Sequence, residues 1–122
     1  EGTKKVKKAV FHDGEEQQGM EEVILSHDSQ AMLYRVPWEV ARDLESYCES
    51  FSAEWVWHGP EKEKFLREID AGQQVAAYGA PDFIDYLNRW VFPERPCRLV
   101  KMLDFYGYDI PPEYQGTPHY NF

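Results

Sequence analysis

The sequence predicts an α+β fold, a small N-terminal antiparallel sheet (a hairpin or three-stranded meander) packed against three to four C-terminal helices. Three observations predict it. Short β-prone runs separated by turn residues fill the first third, prolines open a series of apolar-periodic segments in the rest, and 43% apolar content in 122 residues supplies one core. The reading is therefore one domain over residues 1–122, with an irregular C-terminal tail over about 108–122.

The first β-prone run is Val6 to His12, closed by the turn pair Asp13 and Gly14. Lys4, Lys5, Lys7 and Lys8 around its start suit an edge strand that must not pair with other chains. Glu22 to Ser26 and Ala31 to Val36 flank the turn formers His27, Asp28 and Ser29, which is a hairpin pattern. After Pro37, Val40, Leu44, Tyr47, Cys48 and Phe51 recur at helical spacing with charges on the other faces. Gly59 and Pro60 open a second helix over about 60–71, with Phe65, Leu66 and Ile69 apolar, a Glu63 to Arg67 pair, and Gly72 as the stop. Pro81 opens a third with Phe83, Ile84, Leu87, Trp90 and Val91, broken by Pro93. Pro96 opens a fourth with Leu99, Val100, Leu103 and Tyr106, ended by Gly107; a strand over 97–103 is the competing reading. Residues 54–58 and 73–78 fit either state, because short apolar runs do not separate strand from helix. Pro111, Pro112, Gly116 and Pro118 make the end irregular.

Composition narrows the function classes. The chain carries 22 acidic against 13 basic residues, a formal net charge of −9, so its average field repels nucleic-acid phosphates and anionic lipids. No nucleic acid and no membrane are expected as partners. No run approaches the ~20 apolar residues that span a bilayer, and no signal segment opens the sequence, which places the protein in the cytoplasm. Cys48 and Cys97 stand apart without a CxxC, in keeping with a reducing compartment.

Four features bear on chemistry. Cys97 falls at the start of the fourth predicted helix between Arg95 and Arg98, two influences that lower a thiol pKa and make it the catalytic candidate. His12 with Asp13 and His27 with Asp28 close two predicted strands; were those strands neighbours, the pairs would suit a divalent metal, and otherwise no cofactor is expected. Four Trp, eight Tyr and seven Phe exceed what so small a core needs, and Trp55, Trp57, His58, Tyr106, Tyr108, Tyr114 and Tyr120 are the binding candidates. The alternative for these rings is a tail folded over its own core. Pro111, Pro112, Glu113 and Tyr114 spell PPxY, which reads here as a rigid turn in preference to a ligand for a WW domain.

The functional expectation is a non-catalytic binding protein, an accessory or regulatory subunit that contacts a protein partner or a second copy of itself through an aromatic surface. Enzyme activity is left open and leaned against. The alternative is a small enzyme or small-ligand domain with an aromatic-lined pocket, using Cys97 or the His12 and His27 pairs.

Overall fold

A computed structural model describes residues 19–122; the strand expected over Val6 to His12, with His12 and Asp13, lies outside them. Strands β1 (Met20–His27) and β2 (Gln30–Pro37) pair antiparallel in unbroken register from Met20 opposite Pro37 to His27 opposite Gln30. The connecting Asp28 and Ser29 have φ of 54° and 71°, the paired positive values of the two-residue hairpin turn whose twist matches the strands. Helical chain follows at once, as α1 (Trp38–Arg42), α2 (Leu44–Ser50), a π-helical turn (Phe51–Trp55) and α3 (Val56–His58). Ser52 donates its hydroxyl to the Cys48 carbonyl at 2.8 Å, competing with the backbone donor of an ordinary α-turn where the helix widens. Residues 54–58, undecided from sequence, are thus helical.

The second predicted helix is cut short. Only α4 (Lys62–Phe65) forms; β3 (Leu66–Glu68) and β4 (Gln74–Ala76) then pair as a two-stranded ladder, so residues 73–78 contribute a strand. Ile69 is 58% exposed and never joins an apolar helix face. Arg67, on β3, donates to the Lys64 and Leu66 carbonyls. The third predicted helix exists as α5 (Ala80–Tyr86) continued by a π turn (Leu87–Val91). Its start is fixed by Pro81 and by Asp82, whose carboxylate accepts from the Gly79 N–H at 2.9 Å.

The fourth predicted helix is absent, and the competing strand stands in its place. β5 (Arg98–Tyr106) pairs antiparallel with β2, with register shifts on either side of the Met32 to Leu33 segment. After a single 3-10 turn (Pro112–Tyr114), β6 (His119–Asn121) runs parallel to β1 opposite Ile24 to Ser26. The order β5-β2-β1-β6 makes a four-stranded mixed sheet. The expectation of a small N-terminal antiparallel sheet with three to four helices behind it is therefore corrected: the fold is α+β, but the six strands among the described residues extend from Met20 to Asn121 and one pairing is parallel. The helical period of Leu99, Val100, Leu103 and Tyr106 misled because it fits an edge strand equally well, and the open edge of β2 supplied the backbone partners that decide it.

Both sheet faces carry core. Val23, Leu25, Met32, Tyr34 and Val36 face the helices and meet Val40, Leu44, Cys48, Phe51, Val56, Phe83 and Leu87. Ile24, Ala31, Leu33 and Leu103 face the other way, under Val100, Phe105, Ile110 and Tyr114 of β5 and the segment after it. Phe51 is fully buried at the hub of an aromatic cluster, its ring 5.9 Å from Phe65, 5.5 Å from Tyr78, 5.7 Å from Phe83 and 5.2 Å from Tyr86. The tail completes that cluster. Phe122 lies 5.6 Å from Phe83, 6.3 Å from Tyr78 and 4.9 Å from Tyr120, so the segment expected to be irregular closes the core.

Candidate functional site

The binding candidates divide into core and surface. Trp55 packs on Tyr86 at 5.1 Å and Trp90 at 5.0 Å, and it, Trp57 and Tyr120 are partly buried against the main core. Tyr114 stacks obliquely on Phe105 at 5.4 Å beneath the second face. It sits on the 3-10 turn, so the PPxY residues are not presented as an extended polyproline segment. His58 is exposed at the end of α3. Tyr106 and Tyr108 are the free rings of the set, 58% and 73% exposed, lying parallel at 5.5 Å with 9° between their planes.

These two tyrosines belong to a larger feature that the sequence did not show. β5 is the outermost strand on its side of the four-stranded sheet, so among the described residues its far edge pairs with nothing. Leu99 stands opposite Tyr34 and Met102 opposite Met32, both core residues on the helix-facing side. Yet Leu99 and Met102 are themselves 46% and 53% exposed, because the helices cover β1 and β2 and stop short of β5. Leu99, Met102 and Tyr106 thus run along a strand whose outward N–H and C=O groups are unpaired among the described residues, and Tyr108 follows in the turn beyond it. Arg98, Lys101 and Asp104 are exposed among them.

Cys97 loses the helix premise of the nucleophile reading and keeps the arginine one only in part. It precedes a strand, so no helix N-terminus acts on it, and it is buried. Burial pushes its thiol up to about 12, against which the Arg95 charge and a backbone hydrogen bond act only in part. Its backbone is clasped by Asn88, which accepts from the Cys97 N–H at 2.6 Å and donates to its carbonyl at 3.2 Å. Cys48 is also buried, with its thiol shifted further up for the same reason.

His27 and Asp28 sit at the β1–β2 turn, Nε2 to Oδ2 at 3.4 Å. Nδ1 is buried without a hydrogen-bond partner, turned to Gly79, where a Cβ would come within 2.6 Å of it. Among the described residues no group of three or more His, Cys, Asp or Glu side chains is placed to hold a metal ion. His27 and Asp28 instead border an open cleft of about 580 Å3, shared with Ala76, Tyr78, Gly79, Asp82 and Phe122. No helix among the described residues is long and apolar enough to cross a membrane.

Compared with known proteins, the chain finds no match among family models, curated proteins or solved structures.

Proposed function

We propose that the chain is a non-catalytic protein-binding module, an accessory or regulatory subunit, that engages a polypeptide partner along β5. The observation that carries this reading is the line of Leu99, Met102 and Tyr106 on an edge strand of nine residues, continued by Tyr108 in the turn after it, the four side chains 46 to 73% exposed. An added strand from the partner would take up the free backbone groups of β5, while Met and Tyr supply the large, adaptable contacts that dominate interface energies. The buried, high-pKa thiols and the scattered histidines offer no competing catalytic arrangement among the described residues.

The test places a photo-crosslinking amino acid at Met102 or at Tyr108, with a control at Glu63 on α4, in the cells that make the protein. One discrete adduct from both Met102 and Tyr108, absent from the control and lost from Tyr108 when Met102→Lys is added, is expected. An adduct of twice the chain mass would identify the partner as a second copy. No adduct at either position, or the same adducts from all three positions, overturns the proposal.

A further inference from the structure

A second surface is lined by residues outside β5 and does not depend on that strand's free edge. The cleft of about 580 Å3 opens where the β1–β2 turn faces the chain between β4 and α5, a volume in the range of small-molecule sites. Two of its walls are aromatic. Tyr78 and Phe122 stand with centroids 6.3 Å apart and planes at 87°, an open corner. Both rings are held from behind by Phe51, at 5.5 Å and 6.4 Å, so the corner is fixed by the core.

The charge around this corner has one sign. Asp28 and Asp82 line the cleft, and among the described residues no lysine or arginine does. Asp28 is 89% exposed, with the His27 imidazole its one ion-pair neighbour among the described residues, and Asp82 is anchored by the Gly79 N–H. Among the described residues no group of three or more His, Cys, Asp or Glu side chains converges here to hold a metal ion. Two carboxylates beside two rings match an alkylammonium ion, whose apolar stem contacts ring faces while its ammonium end meets a carboxylate. Gly79 keeps the floor open: its own Cβ would have met the His27 ring.

We propose that this cleft binds a small alkylammonium group, with Tyr78 and Phe122 as its aromatic walls and Asp28 and Asp82 as its counter-charges. The group is either a free amine or the side chain of a lysine in a polypeptide.

The experiment titrates the full chain with n-butylammonium chloride and follows backbone amides by heteronuclear NMR, with sodium butyrate as the anionic control. Saturable shifts confined to Ala77, Tyr78, Gly79, Asp28 and Phe122, absent with butyrate, are expected. Asp28→Asn and Asp82→Asn should each weaken the titration by about fivefold, the scale of one exposed charge pair. Asp28→Asn changes an exposed turn side chain and leaves the fold intact, so it decides the matter alone if Asp82→Asn unfolds the chain. Tighter binding of N-acetyl-lysine-methylamide than of butylammonium would mark a lysine side chain as the natural occupant, and equal binding a free amine. Shifts that do not saturate, that spread over the exposed glutamates of α2, or that persist unchanged in Asp28→Asn overturn the proposal.

Discussion

Phe122→Ala removes a single ring from the last of the described residues, yet its predicted cost is that of a core truncation. The ring is partly buried and meets Phe51, Tyr78, Phe83 and Tyr120 at 6.4, 6.3, 5.6 and 4.9 Å. Truncating a fully buried Phe to Ala costs about 3–5 kcal/mol, and partial exposure brings the expected loss here to about 2–3 kcal/mol. A domain of this length has a total stability of roughly 6–18 kcal/mol, so the melting temperature should fall by about 6–12 °C. Phe122→Leu, which keeps most of the apolar volume and loses only the ring geometry, should cost about 1 kcal/mol. Urea unfolding followed by near-UV circular dichroism measures both, with Tyr108→Ala as the surface control, expected within about 0.5 kcal/mol of the parent. If Phe122→Ala is no more costly than Tyr108→Ala, β6 does not close the core and the aromatic cluster is misassigned.

Two further outcomes follow from the same packing. Cys97, its thiol pushed up to about 12 by burial, should react with iodoacetamide at neutral pH more slowly than a model peptide and match it only in denaturant; native reactivity at the peptide rate would restore the nucleophile reading. Burial alone would raise the Glu39 carboxyl, but hydrogen bonds from Arg95 and from its own backbone, together with the Arg95 charge, hold it below its ordinary value. A lowered native pKa stabilises the fold above the unfolded-state pKa and is lost as pH falls through the native one, so Glu39→Gln should be less stable than the parent at pH 7 and the gap should close toward pH 3. A gap that does not depend on pH would show that the Glu39 to Arg95 pair, at 2.9 Å, adds nothing through its charge.

The hairpin was legible because its information is local: Asp28 and Ser29 accept positive φ, and the runs on either side have the residue types of strands. The helices after Pro37 and Pro81 were legible for the same reason, since proline and apolar spacing act within a few turns. β5 and β6 were misread because their state is set by distant partners. Leu99 and Leu103 fit a helix as well as a strand until β2 offers an edge, and His119 to Asn121 carry no strand signal apart from their place beside Ile24 to Ser26. The candidate surface suffered likewise. Tyr106 and Tyr108 stood out as rings, but Leu99 fell on the apolar face of a predicted helix and Met102 carried no signal, and only a helical layer that ends before β5 leaves both in solvent. Trp55 and Tyr120, read as contacts, fill space around Phe51 and Phe122.

The parallel pairing of β6 with β1 has a consequence in time. Ser26 donates its hydroxyl to Asn121 across 95 positions of chain, and the Phe122 N–H reaches the Ser26 carbonyl at 2.8 Å. Closing so long a loop costs entropy that only the finished contact repays, so the β1–β2 hairpin, although made early on a ribosome, waits with one edge bare until β6 arrives. A newly made chain therefore passes through an interval in which Phe51, Tyr78 and Phe83 lack their Phe122 cover, and it is in that interval that aggregation or a chaperone would find it.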